Sequence, residues 1–286
     1  MAEAEEIFDL AFYRPAAFVF VSVIYRLPIS PNQVTGMSLA AGIVSAWFFS
    51  SGTYEGSAWG AVMYAIANIL DCADGQLARL QQSGTRWGRI IDGAADYISG
   101  IAIFTGIGAG LARSGDASWW LVLAAGLSSA AHAIIFDHYQ SSFIGAAEGH
   151  ADRGSREMSR FEDSLHGGGV RGRLPAVVVG GYVRYLRLQH WSTTGERALS
   201  ASPEQYHSGN RGMIRLWSFL GPTTNRTALI ITALAGNIPA YLWLVVAAGN
   251  LWLLVCSLAQ RRVNRELMSR VHPVAAGAGE AKDTVI

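Results

Sequence analysis

The chain has 286 residues, of which 51% are hydrophobic and only 15% charged, and its formal net charge is +1. A soluble domain carries about 25% charged residues, so this composition excludes an ordinary water-soluble domain and points to a membrane. The near-neutral balance gives no electrostatic reason to expect nucleic acid as a partner. The N-terminus, MAEAEEIFDL, is acidic and polar, unlike a secretory signal peptide. Residues 13–27 are apolar but too few to span ~30 Å of hydrocarbon, which takes about 20, so residues 1–30 read as an N-terminal segment with an interfacial amphipathic helix. Pro28 and Pro31 break that helix. Asn32 can cap the next, which runs to about Ser50 as the first crossing.

Residues 56–80 and 86–110 form the second and third crossings, joined by a turn at 81–85. The fourth runs over 118–136 and ends in Asp137-His138, with His132 hydrogen-bonded inside the bundle. Residues 31–143 thus hold four crossings, and 144–210 form a polar cytoplasmic insertion in which 174–188 reads as a second interfacial helix. The fifth and sixth crossings, about 224–236 and 238–259, lie within 211–265, and 266–286 is a small, polar, disordered tail. The fold class is therefore an all-α integral membrane protein with six transmembrane helices. Connections on one side hold only Arg113, whereas the other side holds Arg14, Arg26, Arg79, Arg86, Arg89, the arginines of 153–215, and Arg261, Arg262, Arg265 and Arg270. By the positive-inside rule the arginine-rich side and both termini are cytoplasmic, in the inner membrane if the source is bacterial. Cys72 and Cys256 fall in separate apolar runs and offer neither a disulfide framework nor metal-ligand spacing.

The second and third crossings carry four carboxylates at their inner ends, Asp71, Asp74, Asp92 and Asp96. Helical periodicity puts Asp71, Asp74, Gly75, Ala78 and Arg79 on one face, and Gly88, Asp92, Ala95 and Asp96 on another. Asp74 and Asp92 lie at equal distances from Ser83, so an antiparallel hairpin brings all four acids to one depth. Four acids beside one cation, Arg79, cannot all stay ionised unpaired in a poorly hydrated place. A divalent metal with hard oxygen ligands, Mg²⁺, Mn²⁺ or Ca²⁺, neutralises them most simply, with room for two ions.

Written out, the run is Asp71, two residues, Asp74-Gly75, two residues, Ala78-Arg79, eight residues, Gly88, three residues, Asp92, three residues, Asp96. It resembles the signature of the CDP-alcohol phosphotransferase (CDP-alcohol phosphatidyltransferase) family at every fixed position. The resemblance implies an enzyme that passes a substituted phosphate from a CDP-alcohol, best read as CDP-diacylglycerol, to the hydroxyl of a small polar alcohol. CMP is released and phospholipid is made. It implies Asp71, Asp74 and Asp92 as metal ligands with Asp96 shared, Asp96 as general base, and a homodimer. For the nucleotide it implies Asp74, Gly75, Ala78, Arg79, Thr85 and Gly88, with Asn32 and Thr35 from the PNQVT stretch. Arg211, Arg215, Arg226 and Asn225, at the entry to crossing five, are the candidates for a phosphorylated acceptor.

Among acceptors, inositol or inositol phosphate ranks ahead of glycerol phosphate and serine. Transfer of a CDP-linked head group to a lipid alcohol is an alternative, disfavoured because Gly93-Ala94 follows Asp92 where that branch often has His-Gly. A membrane prenyltransferase would need two acidic motifs far apart. A divalent-cation or proton-coupled transporter would need polar residues in both halves of the membrane.

Overall fold

The computed structural model describes residues 2–115, 118–148 and 202–271; they are helical, with no strand among the described residues. A strap comes first, a 3-10 turn at Ala2–Ala4 and a π-helical turn at Asp9–Tyr13. It leads into α1 (Arg14–Ile24), which buries Ala17, Val21 and Ile24 at i, i+4 and i+7 against Val34, Leu70, Ala73 and Leu77. Its outward side chains Phe18, Val19 and Val23 are exposed and apolar.

Helix α2 (Pro31–Phe49) starts on a capping box: Ser30 accepts from the Gln33 backbone, and Gln33 accepts from the Ser30 backbone. The cap is therefore Ser30 rather than Asn32, because Pro31 occupies the first helical position and needs no donor partner there. Helices α3 (Tyr54–Leu80) and α4 (Arg86–Ser114) follow, capped by Thr53 and Thr85. The turn between them passes through the left-handed conformation at Gln82 (φ 51°).

The two arms of this hairpin do not pack face to face. α2 packs along both, and α3 and α4 barely touch by backbone among the described residues. Small residues permit this. On the α3 side Ser45 Oγ donates to the Gly60 carbonyl (2.7 Å) and Ser38 Oγ to that of Ala67 (2.9 Å). On the α4 side a Cβ at Gly42 would strike the Ser99 hydroxyl, and Cβ atoms at Gly106 and Gly110 would strike the carbonyls of Ala46 and Phe49.

Helix α5 (Trp119–Ala147) continues about three turns past the end expected at Phe136, because Phe143, Gly145 and Ala146 are buried. Phe143 joins the cluster of Met213, Ile214 and Trp217 on α6 (Pro203–Trp217). Asp137 and His138 thus lie within the helix. His132 Nε2 and Asn250 Oδ1 are 3.1 Å apart, an intrabundle bond as expected for His132. Helix α7 (Pro222–Leu234) packs on α3. Helix α8 (Ile238–Trp243) runs through a π-helical stretch, Leu244–Gly249, into α9 (Asn250–Val271), longer than the sixth crossing expected to end at 259. The interfacial helix expected at 174–188 lies outside the described residues, as does the tail after 271. Among the described residues, three stretches, Ile90–Ser114, Trp119–Ala147 and Ile238–Leu267, are long and apolar enough to cross a membrane.

The strap docks on the start of α7. Glu6, 3% exposed, accepts from the backbone N–H of Thr223 (3.1 Å) and of Thr224 (2.6 Å). Burial pushes its carboxyl up to about 7, although both N–H groups and the Thr224 side chain pull the other way. The folded chain then holds a proton that the unfolded chain has released, so this contribution is complete below about 4.5 and is lost as pH rises toward 7. Thermal unfolding in detergent should show a midpoint that falls between pH 5 and pH 7. Glu6→Gln should flatten that slope.

Candidate active site

Asp71 and Asp74 sit one turn apart on α3, and Asp92 faces them from α4 across the gap that α2 props open. One carboxylate oxygen from each lies within 4.8 Å of the others. Thr35 of α2, buried, donates its hydroxyl to Asp74 Oδ2 at 2.6 Å and so fixes that carboxylate. Three of the four acids thus bring one oxygen each together across a gap rather than through a packed helix pair, and the fourth, Asp96, is joined to Asp71 through Arg226.

Asp96 is held differently. Arg226 of α7 donates Nη2 to Asp96 Oδ1 at 2.7 Å, and Nη1 to Asp71 Oδ2 at 3.0 Å and Asn68 Oδ1 at 2.8 Å. The guanidinium bridges the two acids in a fork that Lys could not make. This corrects the expectation that Arg79 is the one cation beside the acids. Arg79 is exposed on α3, its Nη1 within van der Waals reach of where a Cβ on Gly75 would be. Sequence reasoning placed Arg226 at the cytoplasmic entry of its helix, and no periodicity within one helix reports a partner on another.

The remaining motif residues gather at one corner. A Cβ on Gly88 would lie 3.4 Å from both Asn32 Oδ1 and Thr85 Oγ1, so α2, the turn and α4 meet there without a side chain between them. Thr85 Oγ1 also accepts from the Gly88 N–H (3.0 Å), which makes it the cap of α4. Ala78 is half-buried on α3.

The four acceptor candidates are dispersed. Arg211 pairs with Glu3 of the strap at 3.0 Å, and Arg215 is exposed. Asn225 donates to Ser129 Oγ (2.9 Å) and accepts from Tyr241 Oη (2.8 Å), away from the acids. Arg226 alone of the four touches the carboxylates among the described residues. Asn68 was missed, although it lies one turn before Asp71 on the same stripe, which was the available signal.

The donor set fits a divalent metal. Three hard oxygen ligands converge, and Asp92 Oδ1 is buried without a hydrogen-bond partner among the described residues. Asp71, Asp74 and Asp92 would hold it, with Thr35 orienting Asp74. Thr35→Val keeps the shape and removes the bond, so metal affinity should fall by about 10-fold, measured by Mn²⁺ titration followed by paramagnetic resonance.

The fold and the site define an integral membrane protein with an acidic, arginine-bridged centre able to hold a metal. Residues 28–148 match the model of the CDP-alcohol phosphatidyltransferase family. The chain is similar to the phosphatidylinositol phosphate synthase of Streptomyces avermitilis, 30% identical over 107 residues, covering 37% of this chain and 43% of that protein. It is similar to the Mycolicibacterium smegmatis protein of the same name, 32% identical over 96 residues (33% and 37%). It is also similar to a putative cardiolipin synthase of Mycobacterium tuberculosis, 30% identical over 100 residues (34% and 44%). The matched stretch spans less than half the length of each of these relatives.

Proposed function

We propose that the protein transfers the phosphatidyl group of CDP-diacylglycerol to a hydroxyl of inositol phosphate, releasing CMP. The observation that carries this reading is the trio Asp71, Asp74 and Asp92 set against an Arg226 that bridges Asp71 and Asp96. Divalent metal, Mg²⁺ or Mn²⁺ and two ions in the full site, supplies charge neutralisation on the pyrophosphate when bound. The protein's own groups do the rest. Gly75, Ala78 and the Asn32–Thr85–Gly88 corner leave a surface on which a nucleotide can lie. Arg79, exposed at its edge, can donate to a phosphate. The acceptor hydroxyl gives its proton to Asp96 as its oxygen bonds the phosphorus bearing diacylglycerol, and the bond from that phosphorus to the CMP oxygen breaks. A phosphate on the acceptor suits Arg226, whose guanidinium already stands beside the base.

Six crossings remain the reading of the whole chain, with the site and both termini cytoplasmic. Exposed apolar side chains on α2, α3 and α7, such as Ile43, Trp47, Trp59 and Ile231, support it, as does the arginine asymmetry of the connections. The active unit is a homodimer, as the family resemblance implies.

The test is CMP release by the purified protein supplied with CDP-diacylglycerol and Mg²⁺ or Mn²⁺. Inositol 1-phosphate, inositol, glycerol 3-phosphate and serine are added singly. CMP with inositol 1-phosphate, abolished by a chelator, is the expected result. CMP with serine or free inositol alone would sink the phosphorylated-acceptor assignment.

A further inference from the structure

The start of α7 lacks its own cap. Its N-cap residue is Gly221, which has no side chain, and a Cβ there would strike the Glu6 carboxylate. The cap comes from the strap, where both Glu6 oxygens take the orphan N–H groups of Thr223 and Thr224. Two further strap residues grip the neighbours of the ion-paired groups. Asp9 Oδ1 accepts from Thr223 Oγ1 (3.1 Å) and from the Cys72 thiol (3.7 Å), and Cys72 follows Asp71. Tyr13 Oη shares a hydrogen bond with Thr227 Oγ1 (3.1 Å), and Thr227 follows Arg226. The strap thus ties α7 to α3 at the level where Arg226 reaches Asp71.

We infer that the N-terminal strap is part of the acceptor site, with Glu6 as a positioning residue that sets where the Arg226 guanidinium stands between Asp71 and Asp96. The inference rests on the reading of Arg226 as an acceptor-phosphate ligand. Glu6 touches neither substrate nor metal; it acts through the first turn of α7, which Arg226 directly follows. Without that cap the turn has two orphan donors, Thr223 and Thr224, and one glycine to hold it, and a small rotation moves a long side chain by more than a hydrogen bond tolerates.

The experiment compares wild type, Glu6→Gln, Tyr13→Phe, Arg226→Lys and the Glu6→Gln/Arg226→Lys double variant, each as the full chain in detergent. Glu6→Gln keeps the shape but turns one acceptor into a donor facing an N–H. Its KM for inositol 1-phosphate should rise about tenfold with the KM for CDP-diacylglycerol unchanged. Tyr13→Phe, which deletes a single hydroxyl, should move the same constant in the same direction by less. In the Arg226→Lys background the effect of Glu6→Gln should shrink, because the group being placed is no longer there. An unchanged acceptor KM in Glu6→Gln, or an equal effect in both backgrounds, would overturn the inference. Melting midpoints of the four Glu6/Arg226 combinations give a readout that needs no turnover: coupled shifts support the strap's role and additive shifts overturn it. If the wild type releases no CMP with any acceptor, the functional reading fails by itself and the melting cycle still decides the strap.

Discussion

Asp96→Asn should bind CDP-diacylglycerol as the wild type does and turn over at least about 100-fold more slowly, the usual scale of losing a general base. Asp96 lies outside the trio: its side chain is 44% exposed, and the Arg226 guanidinium links it to Asp71. A group so placed is free to receive a proton from an acceptor that arrives against Arg226. Asparagine keeps an oxygen for the Nη2 donor, so the loss should fall on kcat rather than on folding or donor binding. Binding of the CDP-lipid by calorimetry, beside single-turnover CMP release, separates the two. Turnover at the wild-type rate would take the base role away from Asp96.

Arg226→Ala should cost more in stability and at least as much in activity. It strips the cation from Asp71 and Asp96 together and leaves the Asn68 carbonyl without its donor. Breaking a buried pair costs about 3–5 kcal/mol, and exposure of Asp96 keeps this case at or below the lower end. Arg226→Lys should recover most of the stability and little of the acceptor affinity, since an ammonium cannot bridge two carboxylates in the forked geometry. The melting midpoint and the acceptor KM, measured on both variants, check this. An alanine variant with normal acceptor KM would make Arg226 a structural counter-ion only.

The carboxylate trio was legible because its information is local. Asp71, Asp74 and Asp92 lie on helical stripes at fixed distances from one turn, and periodicity alone brings them together. The helices themselves were legible for the same reason, from the proline breaks and the long apolar runs. Three features were not. The Ser30 cap was not legible because Asn32, two residues on, is also a good capping residue, and only the backbone decides. The extension of α5 to Ala147 depends on α6 supplying Met213 and Trp217 as cover. Arg226 meets Asp96 over a sequence separation of 130 residues and Glu6 of the strap meets Thr223 over 217, and no pattern within a window of the chain encodes such contacts. Family resemblance was silent on them too, since the matched stretch ends at residue 148.

The glycines on α4 have a mechanical meaning for substrate choice. Gly106 lies 14 residues beyond Asp92, about 21 Å along the helix. With α2 as fulcrum, α4 is a lever with backbone contact at one end and a metal ligand at the other. Adding a methyl at Gly106 or Gly110 would push α4 away from the Ala46 and Phe49 carbonyls of α2 and so shift the arm that carries Asp92, without touching a carboxylate. Selection could therefore retune this site from the far end of α4.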